Sequence, residues 1–183
     1  IDIPVNVNWI GKSAFYKCKS LKRILIPDSV REIYESTFED CENLSEIELP
    51  KELEYIGENT FGGCSSLKKI IIPTNVKRIE KGAFSEGTFE KVIFPEELKY
   101  IGDFAFSFCK NLRRVELPQN LISVGDYEFQ FCDKLEYIYI PESVKEIGEM
   151  SFVGCDRLKE VVMTKEVADK FWYISDKKVR YID

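Results

Sequence analysis

The chain has no histidine among its 183 residues. That gap removes Ser–His–Asp triads, imidazole metal sites and HExxH helices together. Methionine and tryptophan are scarce, at two each. No apolar run approaches the ~20 residues of a membrane-spanning helix, so membrane insertion is not expected. There is no CxxC pair of the kind a structural zinc site uses, no Gly-rich phosphate loop and no Ca²⁺-loop pattern. No cofactor is therefore expected. Positive charge is in deficit: 26 Lys and Arg stand against 32 Asp and Glu, a net −6. A general nucleic-acid binder shows a basic stripe instead. With 44% hydrophobic and 32% charged residues, the chain has enough apolar side chains for a core and is not globally disordered.

What is present is periodic. The prolines fall at Pro4, Pro27, Pro50, Pro73, Pro95, Pro118 and Pro141, at steps of 23 with a single step of 22. The cysteines Cys18, Cys41, Cys64, Cys109, Cys132 and Cys155 keep the same period, with Gly87 in the vacant place. One residue is missing just after Gly87. A phenylalanine column, Phe15, Phe38, Phe61, Phe84, Phe106, Phe129 and Phe152, has no exception. Its companion is Leu21, Leu44, Leu67, Phe89, Leu112, Leu135 and Leu158. A frame this short cannot bury its own apolar face, so the frames must stack.

Each frame holds a β-branched alternating run such as Ile24-Leu-Ile26 or Ile70-Ile-Ile72, which predicts a short strand. Proline follows it, where a missing N–H ends a ladder at least cost. A second apolar pair follows, such as Val30 and Ile33. Then Ser13-Ala-Phe-Tyr-Lys-Cys18 and its equivalents space small, Phe and Cys residues as one turn of α- or 3₁₀-helix would. Stacked frames place parallel strands ~4.8 Å apart. Bulkier turns outside should fan out and leave the sheet concave.

Leu21-Lys-Arg-Ile24-Leu-Ile26-Pro-Asp-Ser29 resembles the leucine-rich-repeat strand signature LxxLxLxxN, with Asn6, Asn75 and Asn120 at the ninth place in other frames. The whole frame, LxxIxIPxxVxxIGxxAFxxC, resembles the BspA-like class of leucine-rich repeats. That resemblance covers about 1–163 and implies an α/β repeat solenoid. Its form would be a right-handed coil with a parallel concave sheet and short 3₁₀ or helical turns outside. It also implies adhesion and protein binding at a bacterial surface or outside the cell. Glu128 departs from it by standing in the Ala column, which predicts an exposed or partnered carboxylate.

The expected organisation is about seven frames over 1–163 and a C-terminal capping segment over 164–183, with Trp172 over the last repeat. Ile1-Asp-Ile3-Pro4 starts in phase inside a strand, as in a fragment of a longer array or a trimmed product.

The cysteines lie in one inward column, so their side chains point in parallel. Disulfides need Cβ vectors that face each other, and buried free thiols are expected instead. Glu48 and Glu116 share a column but lie three frames apart, ~14 Å at strand spacing, too far for a glycosidase pair. No catalysis is expected.

Two strand columns face outward. One is Leu25, Glu48, Ile71, Ile93, Glu116, Tyr139 and Val162; the other is Arg23, Glu46, Lys69, Lys91, Arg114, Tyr137 and Glu160. An apolar stripe edged with charge is a contact surface. The expected binding residues are Lys69, Ile71, Lys91, Ile93, Arg114, Glu116, Tyr137 and Tyr139, facing a protein or glycan partner. Trp9, Tyr55 and Tyr100 share a second outward column. An intracellular scaffold in the cytoplasm, or an accessory repeat domain of a larger enzyme, is the alternative function.

Overall fold

Proline fixes where each coil turns. The computed structural model describes residues 1–170 and 179–182. In it every proline carbonyl accepts the amide three residues on, from Pro4 and Val7 at 3.0 Å to Pro141 and Val144 at 3.2 Å. Seven equivalent β-turns bring the chain round into superposed coils. The result is a parallel β-solenoid held by three ladders that run along its length.

The first ladder is the strand face predicted from the Ile-x-Ile runs. Arg23–Leu25 pairs with Glu46–Glu48, with Arg23 opposite Glu46. Arg114–Glu116, Tyr137–Tyr139, Glu160–Met163 and Val179–Tyr181 form a four-stranded parallel sheet. Between these two groups the ladder lapses. Among the described residues a single bridge, Lys91 to Arg114, is formed there, and Lys69, Ile70, Ile71 and Ile72 make no backbone hydrogen bond to a neighbouring coil. The expected continuous sheet is thus broken in coils three and four.

The second ladder grows from the apolar pair after each proline turn. Trp9–Ile10 pairs with Glu32–Ile33. Tyr55–Ile56, Arg78–Ile79, Tyr100–Ile101, Ser123–Val124 and Glu146–Ile147 form a five-stranded parallel sheet. Just beyond it, Gly102, Gly125 and Gly148 press against the previous coil. A Cβ at Gly125 would lie 2.4 Å from the Asp103 nitrogen, so this column is glycine for close approach.

The third ladder corrects the expected helical turns and, with them, the α/β class. Each coil carries two residues of positive φ four positions apart: Ser13 and Lys17, Ser36 and Asp40, Asn59 and Gly63, Gly82 and Glu86, Phe104 and Phe108, Tyr127 and Phe131, Met150 and Gly154. A right-handed helix cannot pass through such residues. Alternate amides instead donate to the next coil, as Ser13 to Glu35 at 3.0 Å, Phe15 to Thr37 at 2.9 Å and Lys17 to Glu39 at 2.8 Å. The amides between them close tight turns, as Tyr16 to Ser13 at 3.0 Å and Cys18 to Phe15 at 3.1 Å. Among the described residues the one α-helix is Lys165–Lys170.

Inside, like stacks on like. Phe38 and Phe61, then Phe61 and Phe84, lie 5.5 Å apart between ring centroids at 3° and 11°. The file continues to Phe152, with a widest step of 6.2 Å between Phe106 and Phe129. The turns that carry this file are themselves hydrogen-bonded from coil to coil, as Phe38 to Thr60 at 3.0 Å and Phe61 to Ala83 at 2.8 Å, so the ring spacing is not the fanning expected of the outer side. Each buried thiol donates to the phenylalanine carbonyl of the preceding coil, as Cys41 to Phe15 at 3.0 Å and Cys64 to Phe38 at 3.2 Å. None of the six cysteines, all among the described residues, forms a disulfide. Burial pushes the Cys41 thiol up to about 11 and Cys64 to about 12. Gly87 breaks the series because the Phe89 ring fills the cysteine place; a Cβ there would lie 2.1 Å from it.

Glu128 is fully buried, which excludes the exposed alternative. Its Oε2 accepts the Ala105 amide at 2.9 Å, while Oε1 has no partner among the described residues. Desolvation raises its pKa well above the usual carboxylate range, against the opposing pull of the Ala105 hydrogen bond.

At the C-terminal end, the Thr164 hydroxyl accepts the Val167 amide at 3.3 Å, an N-cap to the short helix. Val179–Tyr181 then adds a parallel strand beside Val161–Met163. The expected placement of Trp172 lies outside the described residues.

Candidate functional site

The strand face is hollow. Three adjacent grooves cover it, of about 670, 1110 and 470 Å³. Lys69 and Ile71 line both the first and second; Lys91 and Ile93 line both the second and third. Arg114, Glu116, Tyr137 and Tyr139 line the third. The alternation of a strand brings all eight residues to one face, as the period of two requires.

Their chemical states differ. Arg114 is committed: its Nη2 lies 2.7 Å from Glu116 Oε1, and its guanidinium carbon lies 3.6 Å from the Tyr137 ring centroid. Tyr139 accepts the Gln119 amide at 3.1 Å through its hydroxyl. Arg23 pairs with Glu46 at 3.3 Å. Lys69 and Lys91 have no ion pair among the described residues. Ile71 and Ile93 are 70% and 69% exposed.

Three features of this face were not read from the sequence. The neutralisation of Arg114 follows from Arg114-Val-Glu116, since residues two apart on a strand share a face; Arg78-Ile-Glu80 repeats it, with Arg78 Nε 2.8 Å from Glu80. The lapse of the ladder under Ile71 and Ile93 leaves no residue signature. Val162, expected to face out, is buried at 2%; it lies in the last coil, where the chain continues into Lys165–Lys170 and Val179–Tyr181.

The second outward column places Trp9, Tyr55 and Tyr100 along the second ladder. Trp9 meets Tyr34 edge-on at 6.2 Å, and Arg78 lies 5.0 Å over the Tyr100 ring. These rings serve contacts between coils. On the outer side Phe104 stacks on Tyr127 at 4.9 Å and Phe108 meets Phe131 at 5.0 Å.

The leucine-rich-repeat ninth place works as a backbone brace. Asn75 and Asn120 donate through Nδ2 to Lys51 and Glu96 carbonyls of the previous coil, at 3.2 and 3.1 Å, and Ser29 Oγ donates to the Val7 carbonyl at 2.8 Å. A family model described as a BspA type leucine rich repeat region matches in six copies over residues 1–96 and 77–175.

The chain belongs to the BspA-type leucine-rich repeat family.

Solved structures of leucine-rich repeat proteins resemble this BspA-type array. The leucine-rich repeat protein of T. pallidum is 30% identical, with a TM-score of 0.81 over 99% of this chain and 85% of that one. A leucine-rich repeat protein from Bacteroides ovatus is 19% identical, with a TM-score of 0.52 over 100% of this chain and 92% of that one. The pneumococcal vaccine antigen PcpA is 19% identical, with a TM-score of 0.53; this chain spans 41% of its length. Among curated proteins none matches this chain in sequence.

Proposed function

We propose that the chain is a non-catalytic binding and adhesion module. It would present its strand face to a protein or glycan as part of a larger bacterial surface or secreted protein. The observation that carries this reading is the preformed hollow face, with two exposed isoleucines beside two lysines that pair with no carboxylate among the described residues. Coils tied together by the second and third backbone ladders need little ordering on binding, so more of the contact energy appears as affinity. Apolar side chains would supply contact and the lysines would steer the partner. Membership of a repeat family and likeness to the T. pallidum protein support a binding rather than a catalytic role.

A second reading, an intracellular scaffold, is favoured by one observation: six cysteines without a disulfide among the described residues suit a reducing compartment.

The test is capture on the immobilised chain from an extracellular-matrix protein panel and a glycan array. A variant with Lys69→Glu, Lys91→Glu and Arg114→Glu serves as the control. The reading expects ligands that the wild type holds and the folded variant releases. Equal retention by both would move the site off the strand face.

A further inference from the structure

The centre of the strand face differs from its two ends in kind. Where strands pair, the outward column carries Leu25, Glu48, Glu116, Tyr139 and a buried Val162. Where the ladder lapses, it carries Ile71 and Ile93. β-branched residues normally suit a paired strand. Here they sit in the two coils that form no paired strand on this face, and both are about 70% exposed. Strand propensity therefore does not account for them.

The charge is also local. The groove of about 1110 Å³ is lined by three lysines, Lys68, Lys69 and Lys91, against Glu90 and Glu96. It is locally positive on a chain of net charge −6. To either side the arginines are spoken for, Arg23 by Glu46 and Arg114 by Glu116. Among the described residues, the main-chain N–H and C=O groups of Lys69 to Ile72 make no backbone bond to a neighbouring coil. Such groups seek partners.

We propose that this central groove docks an acidic polypeptide segment bearing aliphatic side chains, with Ile71 and Ile93 as its apolar floor and Lys69 and Lys91 as its carboxylate partners. The inference rests on the strand-face reading above and narrows it. A polypeptide supplies both halves of the match; an acidic glycan supplies the charge without the aliphatic contact. Arg114, already neutralised, lies outside the recognition centre.

The experiment is fluorescence anisotropy with labelled dodecapeptides. One is (Glu-Leu-Glu-Val)₃ and the other is its (Lys-Leu-Lys-Val)₃ counterpart. A heparin oligosaccharide serves as the glycan arm. The acidic peptide should bind the wild type and weaken as salt rises, and the basic peptide should not bind. Lys69→Glu with Lys91→Glu should weaken binding at least about tenfold, since two exposed ion pairs become two repulsions. Ile71→Ser with Ile93→Ser should do likewise, and Arg114→Gln should change affinity less than about twofold. All these sites are exposed, and a thermal melt confirms that each variant folds.

Failure of the acidic peptide to bind at millimolar concentration overturns the proposal, as does equal binding of the basic peptide. Lysine-dependent binding of the heparin oligosaccharide alone also overturns it. A partner lost on Arg114→Gln but kept by the double lysine reversal would defeat this inference while leaving the strand-face reading intact. A partner indifferent to every one of these variants would defeat both.

Discussion

Glu128 gives the chain an inverted dependence of stability on pH. Most carboxylates in folded proteins are hydrogen-bonded or paired and lose stability on acidification. This one is fully buried, with Oε2 on the Ala105 amide at 2.9 Å and Oε1 unpartnered among the described residues. Desolvation holds its pKa well above that of a free glutamate, and the nearby Asp103 charge adds to the effect. Below the unfolded value of about 4.3, the folded and unfolded chains both hold the proton and the group contributes nothing. As pH rises past that value the unfolded chain releases its proton while the folded chain keeps it. Stability from this group then falls by about 1.4 kcal/mol per pH unit until the folded pKa is passed. The perturbation is Glu128→Gln, which keeps the shape and an acceptor for the Ala105 amide but cannot ionise. The assay is urea denaturation of both proteins at half-unit steps from pH 4 to 8. The other carboxylates contribute equally to both, so the difference isolates residue 128. The glutamine variant should gain on the wild type as pH rises, by about 1.4 kcal/mol per unit at first. Parallel profiles across that range would refute the reasoning.

Thiol titration of the native protein at pH 8 should find only the half-buried Cys18 reactive, with all six reacting in denaturant; thiols pushed to about 11 and about 12 at Cys41 and Cys64 hold almost no thiolate there. Glu86→Gly should stabilise by ~0.5–1 kcal/mol in thermal denaturation, because Glu86 sits at φ 62° and a left-handed residue costs more than glycine's added chain entropy. Gly154→Ala should destabilise in the same assay, since φ is 74° and a Cβ would lie 2.3 Å from the Phe131 ring. Phe61→Ala should cost ~3–5 kcal/mol, and Phe15→Ala clearly less, because Phe61 stacks on both sides and Phe15 stacks only on Phe38.

The inward files were legible because a period of 23 repeats one choice at each place; Phe38, Phe61 and Phe84 could not all be coincidence. The outward strand columns follow from the period of two, which assigns the eight candidate residues to one face. The second ladder was visible only as an apolar pair, because a two-residue strand such as Arg78–Ile79 is too short to show alternation. The turns misled for a different reason. Gly63, Gly82, Asn59 and Asp40 announce positive φ, but Phe104, Phe108, Tyr127, Phe131 and Met150 occupy the same places. Stacking between coils there, as Phe104 on Tyr127, outweighs the local preference against positive φ.

Because the assignment of the central groove depends on the lapse under Ile71 and Ile93, amide hydrogen exchange followed residue by residue tests it most directly. The amides of Phe38, Phe61 and Ile138, bonded between coils, should exchange slowly, while those of Lys69 and Ile71 should exchange at least about a hundredfold faster. Protection across Lys69 to Ile72 equal to that of Tyr137 to Tyr139 would show a continuous sheet and contradict the account.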